Sequence, residues 1–252
     1  MSRPKIRLYV PEAFSKGGEV TLGQNQSHYL SHVMRLKAGD HVAIFNGADG
    51  EWLAELARAD KKSVVLALQH QREAQRPSPD LWLAFAPLKN KSDLVVEKAT
   101  ELGVSRLIAV YTRHAVVKAV NMEKLAVHAM EAAEQCGRHD VPVIDEKKDL
   151  GFLLASWPGE RLLLYGDETG GGEALKDVLA ALDAAPLGVL IGPEGGFSAE
   201  ELRMLKSVAF TRPFGMGPRI LKADTAAVAA LACVQSVAGD WRQKPRFMAK
   251  EV

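Results

Sequence analysis

From Leu81 onward, short apolar runs alternate with helix-period segments, and this alternation restricts the fold more than any other feature of the chain. LWLAFAPL, RLIAVYT, VPVID, RLLLYG, GVLIG and AFTRPFG read as strands, the last of them weak. SDLVVEKATELG, NMEKLAVHAMEAAEQCG, DLGFLLASW, GEALKDVLAALDA, SAEELRMLKSV and DTAAVAALACVQSVAGDW read as helices. Gly103 and Gly137 stand where helices should stop, and Asn121 where one should start. Strands joined through crossover helices run parallel and need both faces covered, so the expected class is α/β with a mostly parallel sheet.

The chain reads differently before that point. IRLYV, EVTLG, HVAIFNG, EWLAELA and SVVLALQ are short apolar strands, interrupted by one helical piece, QSHYLSHVM. Asn46-Gly47 and Asp49-Gly50 mark a hairpin turn between two of them. Strands at this spacing predict a small barrel. QHQREAQRPSPD is polar, holds Pro77 and Pro79, and reads as a linker. The expected division is a β-barrel over residues 1–72, a linker over 73–80 and an α/β domain over 81–252.

Composition narrows the partners. Apolar residues make up 47% of the 252 and charged ones 25%, with a net charge of +1, so any nucleic-acid surface must be a local patch. Cys136 and Cys233 form no disulfide framework or CxxC pair, which points to a reducing compartment. MSRPKIRLYVPEAF has no apolar segment followed by a cleavage site, and no run nears the roughly 18 apolar residues of a membrane span. A cytoplasmic protein without membrane attachment is expected.

Three strand ends carry glycine-rich exits: LLLYGDETGGG, LIGPEGGFS and PFGMGPRILKADTA. In the second, Ser198 and Glu201 form a capping box, so Gly192-Pro193-Glu194-Gly195-Gly196 lies between a central strand and a helix. Ligands of open α/β sheets bind at that edge, and missing Cβ atoms let peptide groups approach them. Taken alone, such a loop serves equally well as a connector that needs positive φ. None of the three exits contains G-x-G-x-x-G or G-x-x-x-x-G-K-[ST], which disfavours a dinucleotide site and a triphosphate cradle. Backbone-rich, weakly charged loops suit a heterocycle with a polar tail, such as an adenosine. The last helix, TAAVAALACVQSVAG, is small and apolar nearly all round and must be buried against the sheet or a second subunit.

IGPEGGFSAEE and MGPRILKADTA resemble the two ligand-loop motifs of the SPOUT methyltransferases that modify N3 of uridine 1498 in 16S ribosomal RNA. QSHYLSHVMRLKAGDHVAIFNG resembles that family's N-terminal PUA-like barrel, and LKNKSDLVVEKATELGVSRLIAVYTRHAVVK and EAAEQCGR its helix regions. The resemblance implies a C-terminal trefoil-knot α/β domain, S-adenosylmethionine as cofactor, a homodimer, and 16S rRNA or the assembled small subunit as partner. Lys222 and Asp224 depart from the family's Arg-x-Glu-Thr-Ala, and His114 replaces a small hydroxyl residue.

On this reading the cofactor pocket comprises Tyr165, Gly166, Ile191, Gly192, Pro193, Glu194, Gly195, Gly196, Met216, Gly217, Pro218, Arg219, Ile220, Leu221 and Thr225. Uracil N3 carries a proton, so anionic character must be stabilised during transfer. Arg138, Arg219 and Lys89 are the candidates, with no general base assigned. Glu97 stands beside Lys98 and reads more simply as part of a solvated helix face. Arg3, Arg7, His28, His32, Arg35 and Lys37 form the candidate RNA patch. His28 and His32 have an i, i+4 zinc spacing, but no third ligand is near, so no metal is expected. The tail WRQKPRFMAK is basic, with aromatics interleaved.

Overall fold

A computed structural model describes residues 4, 6–60, 63–117, 119–182 and 185–243. The chain divides into two compact units, Met1–Pro77 with Ala133–Val141, and Ser78–Ala132 with Pro142–Val252.

The first unit contains β1 (Arg7–Tyr9), β2 (Glu19–Thr21), α1 (Gln24–His28), β3 (His41–Phe45), β4 (Glu51–Ala59) and β5 (Val64–Glu73). α1 runs directly into a π-helical turn at Tyr29–Val33. The strands form a half-barrel in the order β1-β3-β4-β5-β2, with β1 parallel to β3 and the other pairs antiparallel. Alternation places Leu8, Val42, Ile44, Leu56 and Leu66 in one core. The β3–β4 hairpin turns where Asn46-Gly47 predicts it: Asn46 Oδ1 accepts the amides of Ala48 and Asp49, and Gly47 takes φ +86°.

Arg7 departs from its expected place on an exposed RNA patch. Its residue is 9% exposed, and its Nε donates to Glu51 at 2.6 Å. Its remaining nitrogens donate to the carbonyls of Ala133, Glu134 and Arg138 at 3.1, 2.8 and 2.9 Å, and its guanidinium lies 4.6 Å from the Phe45 ring centre. A guanidinium this deep is held by its partners, and burial keeps it from a phosphate.

The second unit contains β6 (Leu81–Phe85), α2 (Ser92–Glu101), β7 (Arg106–Tyr111), β8 (Val143–Asp149), α4 (Leu150–Ala155), β9 (Leu162–Gly166), β10 (Glu173–Ala174), α5 (Leu175–Ala180), β11 (Leu187–Ile191), α6 (Ala199–Ser207), β12 (Thr211–Gly215) and α7 (Ala223–Val237). Helix α3 (Met122–Cys136) begins in this unit and ends in the first. The seven strands are parallel, in the order β10-β12-β9-β11-β6-β7-β8. β11 is buried throughout, as its unbroken apolar run predicts, and Gly188 lets the Trp157 ring pack directly on its backbone. β6, β7 and β8 extend to one side of β11, and β9 and β12 to the other. The order reverses at β11, and such a switch point opens a crevice at the strands' carboxyl ends. α7 buries Ala223, Ala226, Ala227, Ala230, Leu231 and Val234 within the unit, packed against α2, α5 and β11.

Candidate functional site

The three glycine-rich exits leave neighbouring strands. β9 pairs with β11 and with β12, and Gly166 stands level with Phe214. Their loops enclose one cavity of about 610 Å³, within the range of small-ligand pockets. Residues 191–196 form one wall, residues 214–221 another, and Ala223 and Ala226 of α7 close the floor with no side chain beyond Cβ.

Local sequence explains the loop's shape. Gly196 adopts φ +66° and donates to the Pro193 carbonyl at 3.0 Å, closing a turn. A Cβ at Gly195 would lie 3.1 Å from Cβ of His114, whose Nδ1 stands 3.0 Å from the Gly195 carbonyl oxygen. His114, a departure from the family pattern, therefore rests on the glycine loop. Ser198 caps α6 by accepting from Glu201 at 3.2 Å, and Glu201 accepts from Ser198 at 2.8 Å in return. Glu201 also accepts the Arg113 amide at 2.7 Å, joining the loop after β7 to the helix start.

Charge around the cavity is mainly acidic. Asp167 is buried, Glu168 and Glu194 are exposed, and Arg219, also exposed, lines the cavity from the third exit. Asp224, at the start of α7, is paired with Lys91, whose hydrogen bond holds its carboxyl below the ordinary carboxylate value. Burial pushes the Tyr165 hydroxyl up, and the nearby Asp167 charge adds to this.

The structure brings together Gly166, Ile191 through Gly196 and Met216 through Leu221. Tyr165 is absent from the cavity lining, because alternation along β9 turns it into the core beside Leu163, Leu190 and Phe197. Thr225 is exposed on α7, and Ala223 and Ala226 take the lining positions. Asp167, Glu168, Gly170, Gly172 and Phe214 line the cavity without having been assigned to it. The stretch YGDETGGG signalled all but Phe214, since an exit that brings Gly166 to a ligand brings the next residues too.

Of the proposed cations, Arg219 lines the cavity. Lys89 is exposed on the turn after β6, and Arg138 is 6% exposed in the first unit, donating to Asp140 at 2.9 Å. Glu97 pairs with Lys98 on the α2 surface, as the solvated-face reading predicts. His28, His32, Arg35 and Lys37 are all exposed around α1 and the π-helical turn, and the two imidazoles stack with centroids 4.6 Å apart. Arg3 lies outside the described residues, as does the tail beyond Gln243.

A family model described as an RNA methyltransferase domain matches residues 75–235, and one described as an RNA methyltransferase PUA domain matches residues 22–69. The chain belongs to this RNA methyltransferase family. Its similarity to ribosomal RNA small subunit methyltransferase E of Rickettsia conorii is 32% identity, over 91% of this chain and 94% of the relative. The Bacillus subtilis protein of the same name is 27% identical, over 82% and 86%. Among solved structures, a Legionella pneumophila methyltransferase in complex with bound SAM superposes with a TM-score of 0.86 at 30% identity, covering 95% of this chain and 100% of that one. A Neisseria gonorrhoeae ribosomal RNA small subunit methyltransferase E gives 0.84 at 24% identity, over 94% and 99%, and bears on the fold alone. The two family models agree with the expected α/β methyltransferase domain preceded by a PUA-like domain.

Proposed function

We propose that this protein methylates N3 of uridine 1498 in 16S ribosomal RNA, with S-adenosylmethionine as donor. The observation that carries the reading is the meeting of three glycine-rich exits in one cavity at the carboxyl ends of the neighbouring strands β9, β11 and β12. The residues fit the donor. Peptide groups bared at Gly192, Gly195 and Gly196 suit a nucleoside edge, and the small floor at Ala223 and Ala226 leaves room for it. Bound there, the donor supplies an electrophilic methyl group carried on a sulfonium.

The chain's own residues supply position and field. The 191–196 and 216–221 walls hold the donor and exclude water, so that alignment lowers the barrier. Arg219, at the exposed part of the third exit, stabilises the negative charge that develops on the uracil as its N3 proton leaves. His28, His32, Arg35 and Lys37 of the half-barrel bind phosphates and position the RNA. The protein works in the cytoplasm as a homodimer, on 16S rRNA or the assembled small subunit. Among the described residues no helix is long and apolar enough to cross a membrane.

A methyl group on N3 blocks Watson–Crick pairing and stops primer extension. RNA from a deletion strain is expected to lose the stop at this uridine, and a stop that persists refutes the assignment. Labelled donor incubated with naked RNA, small subunits and whole ribosomes identifies the form that is methylated. Label appearing in transfer RNA or on a ribose instead would move the protein to another substrate of the same chemistry.

A further inference from the structure

Asp167 begins the β9 exit and lines the cavity, yet only 5% of the residue is exposed. Its Oδ1 is engaged, accepting the Thr169 amide at 2.9 Å and the Thr169 hydroxyl at 2.6 Å. Its Oδ2 is buried and has no hydrogen-bond partner among the described residues. Residue 171 comes close to that oxygen because it is glycine, where a Cβ would stand 2.6 Å from it. A carboxylate oxygen kept from water and left unpaired is costly, and a donor, best a cationic one, relieves that cost. None of the described residues supplies one. Arg219 is the single Lys or Arg among the residues lining the cavity, against the three acids Asp167, Glu168 and Glu194.

We propose that Asp167 Oδ2 accepts a hydrogen bond from the α-ammonium of the donor's methionine tail, which makes Asp167 a specificity residue of the pocket. This rests on the donor reading above. The donor carries two cationic centres, and only one can satisfy an acceptor. A sulfonium has no N–H or O–H, whereas an ammonium brings three donors. Glu168 and Glu194 are exposed, so water screens their attraction for either centre.

The test is calorimetric titration of the full chain and its Asp167→Asn variant with S-adenosylmethionine, S-adenosylhomocysteine and 5′-methylthioadenosine. The first two carry the ammonium, and the third lacks the tail. In the variant both tailed ligands are expected to weaken on the order of tenfold to a hundredfold, the range of a charge-assisted hydrogen bond. Methylthioadenosine is expected to bind unchanged, which also reports that the pocket is folded. Equal weakening of all three makes Asp167 a shaping residue and overturns the proposal. Loss for S-adenosylmethionine alone assigns the carboxylate to the sulfonium and overturns it as well, as does no loss at all. If the variant does not fold, wild type is titrated with deaminated S-adenosylhomocysteine, and affinity equal to that of the parent compound overturns the proposal. A wild-type protein that binds no S-adenosylmethionine removes the donor reading itself, and this inference with it.

Discussion

Gly196 holds φ +66° in the wall of the cavity, a conformation that costs a side-chain-bearing residue roughly 1–2 kcal/mol and a β-branched one more. Gly196→Val is therefore expected to weaken donor binding more than tenfold while leaving the half-barrel folded. Calorimetry and far-UV circular dichroism read the two effects, and retained affinity would count against the pocket as drawn. Asp224 supports a prediction in pH. The Lys91 hydrogen bond holds its folded value below the ordinary 3.8, so its stabilising contribution is complete above that value and is lost as pH falls through the lower one. The difference in urea midpoint between wild type and Asp224→Asn should be constant above pH ~5 and shrink in acid. A difference that grew in acid would reverse the sign argued here. At this scale the glycines were legible in the sequence, because a need for backbone approach leaves a compositional mark. Arg7 was not legible. A basic residue near a terminus looks like an exposed arm until Glu51, forty-four residues on, and three carbonyls of a distant segment fold around it.

Elements were legible where one local signal sufficed. The S-x-x-E pattern predicts the start of α6, and the reciprocal bonds of Ser198 and Glu201 are present. Their energetics should differ. Ser198→Ala removes one cap and should cost about 1 kcal/mol. Glu201→Ala leaves two amides, those of Ser198 and Arg113, without their acceptor and should cost more, roughly 1–3 kcal/mol. Equilibrium urea unfolding checks the order, and equal losses would mean that the Arg113 amide finds water. β12 read as weak because Arg212 and Pro213 interrupt its apolar run, yet it pairs on both sides, with β9 and β10. Glu173 and Ala174, read as the start of the helix GEALKDVLAALDA, form β10 instead, and that helix begins at Leu175. Two exposed residues after a run of glycines become a strand only because β12 lies alongside. Tyr165 was misjudged for a related reason. Its place in the exit was clear from order along the chain, while the face it points to depends on strand register.

At the scale of the molecule, the expected barrel and α/β unit were legible from the change of period near Leu81. The partition of one helix between them was not. α3 has a single uninterrupted helical pattern, and nothing in it marks Ala133 as the point where it joins the half-barrel unit. A fragment of residues 1–77 therefore lacks the carbonyls of Ala133, Glu134 and Arg138 that hold the Arg7 guanidinium, and the Glu134 carboxylate that accepts the Tyr9 amide. It should unfold at lower urea than a fragment of the same unit supplied with residues 133–141 as a peptide. Identical midpoints would show that the socket around Arg7 contributes nothing.

That socket also sets a timetable during synthesis. Residues 133–141 are made some fifty residues after Pro77, so a growing chain carries its Arg7 charge without its cradle while the first sheet strands of the catalytic half are still being translated. The first unit thus waits, while translation continues, on a segment that the ribosome delivers late.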